Sequence, residues 1–549
     1  MKTSVMTAAI VLLAVFVGTT LRGAEPGPFE TEATLTADHP IDRLVLADLK
    51  KQDLTPAHVC SDAVFVRRVY LDVIGTLPTV EEVKAFLADQ DPNKRAALIA
   101  RLLERGEFVD YWTMKWCDLL RVKGVAPINL WPNAAQSYHR WVRVCVRDNV
   151  PYDRFARELL TASGSNFRVP PANFYRALQN KEPSGIAQAV ALTFMGERAD
   201  KWPKERLAGM AALFSQVAYK RTKEWKEQIV FCDRDKADLP ASATFPDGTP
   251  VALPPGEDWR RLYADWLISP KNPWFTRNIA NRVWAWLQGR GIVHEPDDLR
   301  PDNPPSNGEL LALLEKELIE ARYDLRHLFR FILNSRTYQL SSVPRSERLE
   351  ALAHFAHYPM RQLEAEVLID ALNQLSGTTE TYSVAVPEPY TYIPEDHRAI
   401  ALGDGMLISP FLEIFGRSPR GTGMESERGN RPSGAQQMYL LNSRHIRLKV
   451  QSIATLQLLG PATPAKKPPK TAPQTGDPKV LYVAILSRYP TEAELKAVAA
   501  HFDRIAQEPK APPPAPASSK SKVAPLPTPG PMEELVWALI NSEEFLNRH

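Results

Sequence analysis

Cysteine is scarce in this chain: Cys60, Cys117, Cys145 and Cys232 are its four thiols, and no two stand at a two-residue spacing. That excludes haem attachment through Cys-x-x-Cys-His and any zinc knuckle, both of which need closely spaced thiolates. Charge of one sign is equally short, with Lys+Arg 67 against Asp+Glu 64 and no long one-sided run. The electrostatic footprint of a nucleic-acid binder is therefore missing. No Gly-x-Ser-x-Gly elbow and no Gly-rich phosphate loop occurs, so serine-hydrolase and nucleotide-binding readings lack their usual support. Long apolar runs are lacking as well. The best of them, Val5 to Val17, is too short for a membrane span.

What that run fits is an export signal over residues 1–24, with Lys2 as the positive n-region and small or polar residues leading to Ala24. Cleavage after Ala24 puts Arg22 at the third position back, and cleavage after Gly23 puts Leu21 there. Removal and retention as an uncleaved anchor therefore both stay open; no other transmembrane segment is expected. The expected location is periplasmic or secreted. In that oxidising setting the four cysteines allow more than one disulfide pairing. Cys117 and Cys145 sit in apolar helical patterns, which also suits buried free thiols.

Proline divides the rest. Segments 237–256, 461–478 and 509–530 are rich in Pro, Ala, Lys and Thr, compositions that favour extended linkers. They separate a domain at 38–236, a second at 257–460, a helical piece at 479–508 and a C-terminal helix at 531–549. Lys466, Lys467 and Lys470 lie among prolines and read as a solvated linker. Between the linkers the apolar spacing is helical: Ile41 to Leu49, Val80 to Leu87, Ala135 to Val146, Ile186 to Gly196, Phe275 to Leu287, Arg361 to Leu375 and Pro432 to Leu459 are examples. Thr79, with Glu81 and Glu82 after it, marks a helix start. The best strand signal, Tyr382 to Tyr392, is broken by Pro387 and Pro389. The fold class read from these patterns is all-α, multi-domain, with few strands.

Ile41-Asp42-Arg43, the run Arg67 to Thr79, Trp112, Trp116-Cys117-Asp118-Leu119, and Pro151-Tyr152-Asp153-Arg154-Phe155 resemble the first domain of the planctomycete cytochrome-associated proteins, the domain of unknown function 1549. Asn272-Pro273-Trp274-Phe275, Asn281-Arg282-Val283-Trp284, Gly289 to Val293, Ser335-Arg336-Thr337-Tyr338, Arg361 to Glu366 and Phe411 to Arg420 are similar to its companion, the domain of unknown function 1553. The resemblance runs in order through nearly the whole chain after residue 40. It implies a family without an established reaction.

The departures from the family pattern are informative. Members of this type carry a Cys-x-x-Cys-His element between a Phe-Leu-Gly run and Asp-Lys-Trp; here Phe194-Met195-Gly196 passes through Glu197-Arg198-Ala199 straight to Asp200-Lys201-Trp202. In the second domain a Cys-Glu-Cys-Glu-Arg run is usual, and here it is Met424-Glu425-Ser426-Glu427-Arg428. Two thiol pairs and a histidine would suit a soft-metal or haem-type centre. Losing both fits the loss of one shared site, and independent drift is the alternative. No cofactor and no metal are expected. A shared origin predicts that the two segments approach each other, with Glu425 or Glu427 paired to Arg198 or Lys201.

Arg67, Arg68, Asp72, Trp116 and Asp118 in the first domain, and Arg282, Trp284, Arg417, Arg420, Glu425, Glu427 and Arg428 in the second, admit two readings. They line an anion- or sugar-binding interdomain cleft, since guanidinium forks grip anions and indoles stack on sugars. Or they are buried ion pairs and core tryptophans that fix packing. The carboxylate pairs Glu425/Glu427 and Asp297/Asp298 suit acid/base hydrolysis only if one carboxyl is raised and the other normal across a cleft; structural pairing with arginine is the plainer role. His354 and His357 have a helical ligand spacing but no third ligand nearby. The function expected is a noncatalytic binding or scaffold protein of the cell envelope, its partner an envelope protein or polysaccharide. A polysaccharide hydrolase and a haem-less accessory to a cytochrome system are the alternatives.

Overall fold

The structure, a computed structural model, describes residues 27–386, 391–429, 431–459, 477–507 and 529–549. Residues 1–24, read from the sequence as an export signal, and nearly all of 461–478 and 509–530 lie outside the described residues. The chain is 52% helix and 6% strand, so it is mainly helical, with strands confined to small sheets. No helix among the described residues is long and apolar enough to cross a membrane.

Six helices position the site: α1 (Pro40–Lys51), α2 (Asp62–Ile74), α3 (Gly106–Leu119), α4 (Phe275–Gln288), α5 (Ala365–Ser376) and α6 (Pro531–Ile540). Local chemistry sets their ends. Ser61 caps α2 by accepting from the Val64 N–H at 3.4 Å. Gly75 ends it in the left-handed region, φ 58°. A Cβ there would also stand 2.7 Å from the Tyr111 ring, so α2 and α3 close together only over a glycine. Thr79 and Glu82 form a reciprocal capping box at the start of the Val80–Ala88 helix. Residues from Val64 through Ile74 on α2 are all buried, which places this helix inside the core rather than on its surface.

One hydrophobic core runs through the molecule. It joins Ile41, Phe65 and Trp112 to Val283, Trp284, Leu368, Leu372 and Val536. Segment 57–60 pairs directly with a distant stretch: Ala57 N–H donates to Ala356 O at 2.7 Å, Cys60 N–H to Gln339 O at 2.8 Å, and Ser341 N–H to His58 O at 2.7 Å. The proline-rich segment 237–256 therefore divides the sequence but not the core. It is itself folded, because Ser242–Thr244 pairs with Pro250–Ala252 and Phe245 stacks on Trp266 at 4.9 Å.

Strands β1 (Gly164–Ser165), β2 (Val217–Arg221) and β3 (Gln228–Cys232) make an antiparallel sheet in the order β1-β3-β2. The Tyr382–Tyr392 signal is realised as a two-residue strand, Ser383–Val384, paired with Leu407–Ile408; Pro387 and Pro389 lie outside the described residues. Cys60, Cys117, Cys145 and Cys232 are free thiols. Burial pushes the Cys117 and Cys145 thiols up to about 12, so both are packing residues rather than nucleophiles.

Candidate interdomain site

Asp118, near the end of α3, is the hub. Its Oδ1 accepts from Arg420 Nε at 2.8 Å, and its Oδ2 accepts from Arg428 Nε at 2.8 Å. Arg428 turns its other edge to Glu366 on α5, with contacts of 2.7 and 3.2 Å to the two carboxylate oxygens. Burial alone would raise the Asp118 carboxyl, but Arg428 and Arg420 beside it hold it below its ordinary value. Arg420 also donates to the carbonyls of Val122 and Gly403, and Arg417 to those of Gly405 and Leu407.

A second buried network lies alongside. Glu364 takes Lys115 at 2.7 Å and Arg548 at 2.5 Å. Burial opposes ionisation of Glu364, yet Arg548 and Lys115 hold it well below the usual carboxylate range. Asp72 accepts from the hydroxyls of Tyr338 and Tyr358 at 2.9 and 2.8 Å and pairs with Arg361 and Arg548. Arg68 spans Tyr338 O, Leu340 O and His549 O, each at 2.8 Å, and lies 3.8 Å over the Tyr358 ring. Arg67 donates to Ile485 O and Phe545 O. These guanidiniums hold distant backbone carbonyls together, so they are joints between segments.

The tryptophans divide. Trp284 is fully buried, edge-on to Phe355 at 5.0 Å. Trp116 packs on Phe155 at 5.1 Å and Trp286 at 5.9 Å and lines an apolar cavity of about 40 Å³ with Phe108, Trp112, Tyr152 and Phe329. An apolar void that holds benzene is about 150 Å³, so this one is a packing gap rather than a sugar site.

Segments 194–202 and 424–428 meet on one support. Gly196 lies against Asn278 of α4, where an added Cβ would stand 2.6 Å from Asn278 Oδ1, and its carbonyl accepts from Leu299 N–H at 2.9 Å. Asn278 Oδ1 accepts from Arg282, which pairs with Asp297 at 2.8 Å. Asp297 Oδ2 in turn accepts the Glu425 N–H at 2.7 Å. The expected ion pairs are different, however. Glu425 accepts from the Trp286 indole at 3.1 Å and faces Arg282 at 3.7 Å, while Arg198 pairs with Glu295. Glu427 accepts from the N–H groups of Gly421, Thr422 and Gly423, because its own loop curls around it. Asp298 pairs with Arg300, so neither carboxylate pair turns both members into one cleft. Glu197 is buried under the Trp202 and Trp274 indoles and Arg206.

Two site acids are not nominated by the sequence: Glu366, which stands there only within the run Arg361 to Glu366, and Asp404. Asp404 stands between Gly403 and Gly405, whose missing side chains admit His139 and Arg420; that flanking is its only sequence signal. Its Oδ1 accepts from Gly124 and Met406 N–H groups, and Oδ2 accepts no hydrogen bond among the described residues. Burial raises the Asp404 carboxyl. The cavity it shares with Met114, Glu366, Arg417 and Arg420 is about 10 Å³, room for about one water. His354 bonds Asp48 at 2.7 Å, and among the described residues no three His, Cys, Asp or Glu side chains group to hold a metal.

Two family profiles match the chain: the protein of unknown function DUF1549 over residues 40–217 and the protein of unknown function DUF1553 over residues 259–502. The chain belongs to the family that pairs these two domains. No curated protein and no solved structure matches it. The Asp118 hub lies in the DUF1549 match and its arginines in the DUF1553 match, so the ion pairs are the seam between them. Arg548 and His549 lie beyond both matches yet supply part of the same seam.

Proposed function

We propose that this DUF1549–DUF1553 protein is an exported, noncatalytic binding or scaffold protein of the bacterial cell envelope, periplasmic or secreted. The observation that carries the reading is the filled seam: Asp118, Glu366, Arg420 and Arg428 satisfy one another. A hydrolytic pair needs one carboxyl free to protonate a leaving group and a second within reach of the sugar. Glu425 and Glu427 instead turn to an indole and to backbone N–H groups. The Lys2 and Val5–Val17 pattern supports export.

The test pairs localisation with turnover. Cell fractionation should place the protein in the periplasm, envelope or medium. The purified protein should retain one defined envelope protein or polysaccharide while releasing no new reducing ends from polysaccharide. Release that Glu425→Gln abolishes would replace this reading with the hydrolase.

A further inference from the structure

The tip of the β2–β3 hairpin presents an indole to solvent inside a cluster of cations. Trp225 is 58% exposed, and the Trp131 ring meets it edge-on, 4.6 Å between centroids at 76°. Lys226 Nζ lies 5.0 Å from the Trp131 centroid and 5.5 Å from that of Trp225. Lys220, Arg221 and Lys223 are exposed on the same strand and turn, and Arg168 stands beside the tip, 3.9 Å from Glu227. The hairpin's two acids, exposed Glu224 and Glu227, whose charge the Ser165 and Thr222 hydroxyls stabilise at 2.5 and 2.7 Å, are outnumbered by these cations. In a chain with a net charge of only +3, this local excess is a property of the hairpin.

The tip is also held rigid. Asn166 accepts from Gln228 N–H at 2.8 Å and donates to Lys226 O at 3.3 Å. Thr222 Oγ1 accepts from Glu224 N–H at 3.1 Å. Trp131 has φ 72° and ψ 147° and Lys226 has φ 63°, conformations that cost energy for residues with a Cβ and persist only where surroundings enforce them. A braced hairpin lowers the ordering cost of binding at its exposed indole.

We propose that this tip binds an anionic polysaccharide, with Trp225 stacking on the apolar face of a sugar ring and Lys220, Arg221, Lys223, Lys226 and Arg168 taking its carboxylate or sulfate groups. Indoles stack on sugar faces, and ammonium and guanidinium groups form charge-assisted bonds to such anions. Single-stranded nucleic acid is served less well, because it calls for successive aromatic platforms, and here the second indole is edge-on to the first. A protein partner needs a larger apolar patch than one projecting ring.

The inference rests on the noncatalytic binding reading and names its ligand. Affinity electrophoresis of the full-length mature protein through gels containing polygalacturonate, dextran sulfate or neutral dextran tests it, with reducing ends assayed in parallel. The expected result is retardation by at least one anionic polymer and not by dextran, with affinity reduced about tenfold in Trp225→Ala and a weaker salt dependence in Lys223→Ala/Lys226→Ala. Polygalacturonate against dextran sulfate tells carboxylate from sulfate. The inference is overturned by no retardation, by equal retardation in dextran, by a folded Trp225→Ala that binds as the parent does, or by tighter Trp225-dependent binding of an oligo(dT) probe. New reducing ends with Trp225-dependent binding intact would instead overturn the noncatalytic reading and leave the ligand assignment standing.

Discussion

Asp118 shows what a buried charge does at the scale of one residue. A carboxylate between two guanidiniums contributes little net stability over an apolar replacement of the whole group, but removing one partner strands the others without water. Asp118→Asn is therefore expected to lower the unfolding free energy by about 3–5 kcal/mol, measured by urea denaturation, whereas Arg154→Ala, which breaks the exposed Arg154–Glu158 pair, should cost under about 0.5 kcal/mol. Equal costs would mean that the seam is wetter than its burial implies. His549 gives a pH signature. Burial, then Arg67 and Arg68, push its imidazole down to about 3 from 6.5. The unfolded chain takes up that proton near 6.5 and the folded chain does not, so this contribution is full above pH 6.5 and is lost as pH falls toward 3. Between pH 7 and 4.5, His549→Gln should lose about 2.5 kcal/mol less stability than the parent; identical pH curves would refute the shift.

At the scale of the element, apolar spacing and caps located several helices to within a residue or two, but not the limits of α2 and α3, which carry Arg67, Arg68, Asp72 and Asp118. The Ile41 to Leu49 pattern is α1, Phe275 to Leu287 is α4, and Thr79 caps as its neighbours indicate. The departures have physical causes. Arg361 to Leu375 reads as one helix, yet Arg361–Gln362 pairs as a strand with Asn547–Arg548, and the helix begins only at Ala365. The Pro432 to Leu459 pattern breaks between Asn442 and Arg444. Ile186 to Gly196 changes to a wider turn over Ala191–Met195 before Gly196 at φ 67°. The C-terminal helix was legible through its apolar face: Leu535, Val536, Leu539, Ile540 and Phe545 are all buried. Ile540→Ala should cost about 2–5 kcal/mol by leaving a cavity. Deleting residues 531–549 should cost more, because it also takes Phe545 O and His549 O from Arg67 and Arg68; a deletion without loss of thermal stability would mean that α6 does not dock.

At the scale of the molecule, two matched domains share one core. Asp42 on α1 accepts from Arg336 and Thr337 N–H groups at 2.9 and 2.8 Å, and segment 57–60 pairs with 339–341. Neither half closes its own hydrogen bonds, so calorimetry should give one cooperative transition, and residues 38–236 expressed alone should not reach a native fold. Two resolved transitions would show that the halves fold independently.

The sequence by itself determined the helical class, the paired-domain family and the limits of several helices, because periodicity, caps and turns act within a few residues. It also nominated the arginines, tryptophans and acids of the seam while leaving their role open between a cleft and a set of ion pairs. Tertiary structure alone decided which partners they have. Arg68 meets His549 O across 481 residues, and Arg420 meets Asp118 across 302; whether a guanidinium faces a carboxylate or solvent depends on such long-range packing, which no local pattern encodes.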